Sequence, residues 1–252
     1  MAAPARIEFR HVTRRFGELV AVQDVTLSVA DGEVVSLIGP SGCGKSTLLH
    51  MGAGLTLPSA GEVMVDAERV TGPNTHVAFM LQKDLLLPWR TIRENVELGL
   101  EIKNIVRGEK ARTLLRRFHL EGFENAYPHQ LSGGMRQRAA LARTLAVQPS
   151  VLLMDEPFSA LDAQTKMVLQ QDLAQSLAEE GKTALFITHD LAEAVALSDR
   201  ILVMSARPGS IIEEIPVDLP VRGNPLARRR APRVAEYLAR LMELLHVEER
   251  TI

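Results

Sequence analysis

Apolar and polar residues alternate along Arg6-Ile7-Glu8-Phe9-Arg10-His11-Val12 and again along Val25-Thr26-Leu27-Ser28-Val29. A period of two puts one face in a core and the other in water, so both segments predict half-buried antiparallel strands. Glu33-Val34-Val35-Ser36-Leu37-Ile38 reads as a buried strand, and Val77-Ala78-Phe79-Met80-Leu81 and Ala184-Leu185-Phe186-Ile187-Thr188 as two more. Val151-Leu152-Leu153-Met154 is apolar throughout, the mark of a strand covered on both faces. After the turn cluster Leu57-Pro58-Ser59-Ala60-Gly61, Glu62-Val63-Met64-Val65 predicts a strand ending near Asp66. Residues 91 to 147 change to the helical period, with helices expected over Thr91 to Leu100, Glu109 to Phe118 and Arg136 to Val147, so this stretch reads as a helical insertion. Beyond Arg207 the prolines at 208, 216, 220, 225 and 232 break the pattern, and Ile211-Ile212-Glu213-Glu214-Ile215 leaves room for only one more strand. The final stretch sets Arg228-Arg229-Arg230 and Arg233 ahead of Val234, Leu238, Leu241 and Leu245, spaced as one helix face. That segment suits either a membrane surface or its own domain; the narrow stripe and the acids Glu236 and Glu243 favour the domain. There is no internal repeat.

Chemistry enters where the buried strands end. The strand through Ile38 runs into Gly39-Pro40-Ser41-Gly42-Cys43-Gly44-Lys45-Ser46, followed by Thr47-Leu48-Leu49. A glycine-rich turn between a strand and a helix lets backbone N–H groups and the helix dipole converge on a triphosphate. Lys45 would reach the β and γ phosphates, and the Ser46 hydroxyl would ligate Mg²⁺. Phe16, in a short loop ahead of this cradle, is either a base-stacking ring or a satellite core residue. Gln82 closes one strand and His189 another, with Asp190 as the expected cap of the next helix. Asp155 and Glu156 close a third: Asp155 is placed to hold Mg²⁺ through water and Glu156 to polarise an attacking water. Ser132 is a natural N-cap, and Gly133 and Gly134 bare the donors of a second anion-facing helix start. The greasy loop Leu85-Leu86-Leu87-Pro88-Trp89 holds the sole tryptophan and reads as a partner contact or as core packing.

The 252 residues are 46% hydrophobic, enough for one large α/β domain or two small ones. A net charge of -2 offers no basic field for nucleic acid. The single cysteine, Cys43, cannot form an internal disulfide, which fits a reducing cytosol; it reads as a small loop residue, with no charged activator expected beside it. No apolar run approaches the roughly 20 residues that span a bilayer and no leader pattern opens the chain, so it is expected to be neither secreted nor membrane-spanning.

Together these segments resemble the ATP-binding cassette of an ABC transporter: the Walker A loop at Gly39 to Ser46, the Q-loop at Gln82, the signature Leu131-Ser132-Gly133-Gly134-Met135, the Walker B strand with Asp155 and Glu156, the D-loop Ser159 to Asp162, and the switch histidine His189. Leu86 to Arg90, Glu94-Asn95-Val96, Asp155-Glu156-Pro157-Phe158 and Ser205-Ala206-Arg207-Pro208-Gly209 are most similar to the ATPases of nitrate/sulfonate/taurine-type importers. Ser159, where glycine is common, and Phe16, where tyrosine is usual, depart from that group without removing a catalytic group. The resemblance implies an α/β fold with a mixed RecA-like core sheet, an N-terminal antiparallel β subdomain, a helical signature subdomain over about 90–147 and a short C-terminal helical tail. The cassette would cover 1–220 and the tail 221–252. It implies ATP and Mg²⁺ as ligands, Lys45, Gln82, Glu156 and His189 as catalytic groups, Ser46, Gln82 and Asp155 at the metal, and nucleotide contacts from Phe16, residues 39–47, Ser132, Gly133, Gly134 and Asp162. It also implies a second ATP-binding subunit packed head to tail, integral membrane permease subunits, indirectly a solute-binding protein, and a peripheral place on the cytoplasmic face of the membrane. An exporter ATPase, or a soluble cassette protein of DNA repair or translation, shares most of these motifs.

Overall fold

The alternating and the uniformly apolar segments build two different sheets. The computed structural model describes residues 4–105, 108–159 and 161–246; Ala160 of the D-loop and tail residues 247–252 lie outside the described residues. β1 (Ala5–Phe16) and β2 (Leu19–Ala30) pair antiparallel, with Ile7 opposite Val29 and Phe9 opposite Leu27. Ile7 and Phe9 are buried in alternation; a register shift between Phe9 and Val12, with His11 at φ +51°, leaves Arg10 and His11 both exposed and returns Val12 to the core. These strands are longer than their alternation suggested. Phe16 is the last residue of β1, opposite Leu19, and not in a loop, because the hairpin closes through Gly17 and Glu18 alone.

β3 (Val34–Ile38) is buried at every position and leads through the glycine-rich turn into α1 (Lys45–Gly52). β4 (Ala60–Val65) and the short β5 (Glu68–Arg69) complete the first sheet in the order β2-β1-β4-β5. β6 (Val77–Met80) precedes the helical insertion: α2 (Ile92–Ile102), α3 (Glu109–Arg117), a 3-10 turn over Pro128–Gln130, and α4 (Gly133–Ala146). Thr91 and Glu94 close a reciprocal capping box on α2, the Glu94 carboxylate accepting the Thr91 N–H at 2.7 Å. α4 starts at Gly133, three residues before the apolar spacing becomes evident, because the Ser132 hydroxyl caps it by accepting the Met135 N–H at 3.3 Å.

The rest alternates strand and helix: β7 (Val151–Asp155), α5 (Ala163–Glu180), β8 (Thr183–Ile187), α6 (Leu191–Leu197), β9 (Arg200–Met204), β10 (Ile211–Pro216), α7 (Pro225–Arg229) and α8 (Val234–His246). The second sheet runs β10-β9-β3-β8-β7-β6; all neighbours are parallel except the edge pair β10 and β9, so the sheet is mixed. The uniformly apolar strands alternate after all, between two apolar faces. Leu152, Met154, Ala184 and Phe186 join the core under the helical insertion, while Val151, Leu153, Leu185 and Ile187 meet Ile7, Phe9 and Leu27 of the antiparallel sheet. β9 had no counterpart among the expected strands, and its Leu202 and Met204 complete that second core.

The tail belongs to the fold. Val234, Tyr237 and Leu241 of α8 are buried against Val195, Ile201 and Val203, so the stripe that also suited a membrane surface is spent on the domain. No helix among the described residues is long and apolar enough to cross a membrane.

Candidate active site

The parallel strands deliver their chemistry at one edge, as open α/β sheets do. β3 gives the glycine-rich turn, β6 gives Gln82, β7 gives Asp155 and Glu156, and β8 gives His189. A cavity of about 350 Å³ opens there, walled by Phe16, Leu19 and Ala21 on one side and by Ser41, Gly42 and Gly44 to Thr47 on the other, with Glu156, Ile187 and Arg207 at its margins.

The turn is shaped for a close approach. Gly44 has φ +107°, and a Cβ there would fall 2.7 Å from Val22 Cγ2, so only glycine lets the loop lie on β2 while aiming its amides outward. Lys45 Nζ donates to the carbonyls of Gly39 and Pro40, both at 2.8 Å. The ammonium is thereby held over the mouth of the loop it belongs to. It also lies 3.7 Å from Cys43 Sγ, the charged neighbour the sequence did not lead us to expect, but that thiol is 1% exposed and so closed to reagents.

Two side chains meet on Glu156. Gln82 Nε2 donates to Glu156 Oε2 at 3.1 Å, and His189 Nδ1 lies 3.3 Å from the same oxygen. Glu156 holds a left-handed backbone, φ +47°, fixed by its N–H donating to the Ile187 carbonyl at 3.1 Å. Behind it, Asp155 bonds the Ser46 hydroxyl; burial pushes its carboxyl above the ordinary range, the Ser46 bond opposes that shift, and the Glu156 charge adds to it. A half-buried carboxylate and a hydroxyl next to a phosphate cradle form a hard oxygen set that fits Mg²⁺, which takes one or two protein ligands and completes its shell with phosphate and water. No cluster of three or more His, Cys, Asp or Glu able to hold an ion by itself occurs among the described residues.

The loop after β8 is also braced. Asp190 accepts the Glu193 N–H at 3.0 Å as the cap of α6, and Lys166 Nζ reaches both Asp190 and the buried Glu193 at 2.8 Å. Asp162 accepts the N–H groups of Gln164 and Thr165 as the cap of α5. Ser132, Gly133 and Gly134 are not in the cavity wall; a Cβ at Gly134 would meet Thr165 Cγ2 at 2.8 Å, which packs the α4 start against α5. The structure therefore brings Lys45, Ser46, Gln82, Asp155, Glu156 and His189 together and holds the signature helix apart from them.

A model of the family described as ABC transporter matches residues 22–159, from β2 through the phosphate turn to just beyond Glu156. The chain belongs to the ABC transporter family. It is one of that family's ATPases. An uncharacterized ABC transporter ATP-binding protein of Methanocaldococcus jannaschii is 49% identical over 202 residues, 79% of this chain and 76% of its own length. An aliphatic sulfonates import ATP-binding protein of Bacillus cereus is 42% identical over 211 residues, 84% of each chain. Among solved structures, a dimeric ATP-binding cassette in a post-hydrolysis state bound to ADP and Pi superposes with a TM-score of 0.75 at 35% identity, covering 84% of this chain and 99% of the other.

In this ABC ATPase the cavity margin contains residues the sequence reading passed over. Leu19 and Ala21 sit in β2, where alternation alone gives no sign of a ligand. Arg207 was noticed only as part of a family-like stretch, because it acts through folded distance: it lies 165 positions from Gly42, whose carbonyl it holds. Lys166, which braces the loop after β8 and does not line the cavity, was passed over for the same reason.

Proposed function

We propose that this chain is the ATP-binding and ATP-hydrolysing subunit of an ABC importer, working peripherally on the cytoplasmic face of the membrane. Its residues 39–47 cradle the phosphates, with Lys45 on the β and γ groups and Phe16 against the base. Ser46 and Asp155, with Gln82 nearby, would hold Mg²⁺, which when bound would supply positive charge to offset that of the phosphates. Glu156 orients and polarises the attacking water, and His189 steadies the γ phosphate. Ser132, Gly133, Gly134 and Asp162 complete the site on a second copy, so two chains close head to tail around two ATP molecules and exclude water from the clamp. Hydrolysis reopens the pair, and the segment from Gln82 to Trp89 passes the motion to membrane permease subunits that receive solute from a binding protein.

The observation that carries this reading is the meeting of Gln82 and His189 on the Glu156 carboxylate beside the phosphate turn. Import of a small solute such as nitrate, a sulfonate or taurine is supported by the 42% identity to an aliphatic sulfonates import ATP-binding protein. Glu156→Gln tests the chemistry: it is expected to bind ATP, to lose about 10²–10⁴-fold in turnover, and to accumulate as a closed dimer in a sizing experiment. Near-normal turnover would remove Glu156 from its role.

A further inference from the structure

The stretch Ser205-Ala206-Arg207-Pro208-Gly209, between β9 and β10, has so far served only as a mark of resemblance. In the fold it is a turn bound on both sides. The Ser205 hydroxyl accepts the Ser210 N–H at 2.9 Å, which holds the turn closed. Gly209 stitches it to β2, its N–H donating to Ala21 at 3.1 Å and its carbonyl accepting from Gln23 at 2.9 Å. The same glycine is pressed against the phosphate turn, since a Cβ there would fall 2.0 Å from the Cys43 carbonyl oxygen.

From this fixed backbone Arg207 extends to the cavity. Its Nε and Nη2 clasp the Gly42 carbonyl at 3.0 and 2.7 Å, and the residue lines the cavity together with Leu19 and Ser41. Among the described residues no carboxylate pairs with it. An arginine has five N–H donors and a permanent charge, and a single carbonyl uses only part of that set. Arg207 thus lines the same cavity as Ser41, Gly42, Gly44 and Lys45 without an acidic partner among the described residues, with its charge and remaining donors available to an anion held there. We propose that Arg207 is a nucleotide-binding residue, which braces the phosphate turn through Gly42 and holds the phosphate chain of the nucleotide with its free N–H groups. The proposal rests on the nucleotide site assigned above.

The test is an equilibrium titration of the full chain with fluorescent N-methylanthraniloyl ADP and ATP at low and high salt, for the wild type, Arg207→Gln, Arg207→Lys and Lys45→Ala. A charge-assisted bond to phosphate predicts that Arg207→Gln weakens binding about tenfold at low salt, that KM for ATP rises in step, and that the gap narrows as salt screens the charge. Arg207→Lys keeps the charge but loses the two-nitrogen clasp on Gly42, and is expected to fall between the wild type and Arg207→Gln. Unchanged affinity in Arg207→Gln overturns the proposal. So does an equal, salt-independent loss in both variants, which is the behaviour of a brace alone. If Arg207→Gln fails to fold, Arg207→Met, which keeps the aliphatic stem and removes the charge, is measured in its place: a larger, salt-sensitive loss than in Arg207→Lys supports the proposal, and an equal, salt-independent loss overturns it. Full binding by Lys45→Ala instead overturns the site assignment itself, so the two failures are told apart.

Discussion

Glu156 sits in a backbone conformation that costs a residue with a Cβ about 1–2 kcal/mol, and its surroundings account for the expense. The left-handed turn, pinned by the bond to Ile187, rotates the carboxylate out of the strand and between Gln82 and His189. Lys45 is similarly committed, held to the carbonyls of its own loop. Its removal leaves the loop intact in outline but without its point charge at the β and γ phosphates. Lys45→Ala is therefore expected to weaken ATP binding at least about tenfold and to stop hydrolysis, measured by titration calorimetry and phosphate release; unchanged affinity would contradict the phosphate-turn assignment. At single positions the sequence was readable where type and spacing carry the chemistry, as with Lys45, Ser46, Asp155 and His189. It was silent where position depends on a torsion or a distant partner, as with the twist at Glu156 and the reach of Arg207 to Gly42.

The stretch from Lys83 to Arg90 has no strand or helix of its own, yet it is firmly tied. Arg143 of α4 donates to the carbonyls of Asp84 and Leu85 at 2.6 and 2.8 Å, Arg136 bonds the Asp84 carboxylate at 3.1 Å, and Asn95 of α2 accepts the Leu87 N–H at 2.7 Å. Any shift of α4 thus acts directly on the segment that follows Gln82. Leu86 is buried as an anchor and Trp89 is 71% exposed at the tip, which decides against core packing for the tryptophan. Trp89→Ala should change stability by no more than about 0.5 kcal/mol and leave the ATPase of the isolated chain intact, while uncoupling it from permease subunits in reconstituted vesicles; a large drop in the unfolding midpoint would refute the partner-contact reading. Segments with a clean period were legible to within a few residues. β9 was missed because Ile201 to Met204 is a short apolar run between a helix and a glycine-proline turn, and such a run has no period of its own. The start of α4 was legible only from its Ser132 cap, because the two glycines that follow carry no apolar period and the periodic helix is evident only from Arg136.

Across the molecule, the mixed sheet divides two cores and sends the groups proposed as catalytic to one edge, while the signature helix is carried on the insertion and packed against α5. The general architecture followed from the order of periodic segments, since uniformly apolar strands separated by helices leave few alternatives to a covered parallel sheet. The separation of the two anion-facing helix ends did not follow from sequence, because it depends on how the insertion docks through contacts such as Gln137 Nε2 donating to the Pro157 carbonyl at 2.8 Å. On the proposed reading, that separation makes each chain half of two sites. The decisive measurement is ATPase activity per chain as the protein is diluted through its dimerisation range at saturating ATP and Mg²⁺. The account predicts that specific activity falls toward zero with dilution and recovers on concentration, with two nucleotides trapped per Glu156→Gln dimer. Constant activity per chain at concentrations where only monomers exist, with one nucleotide enclosed by one polypeptide, would contradict it.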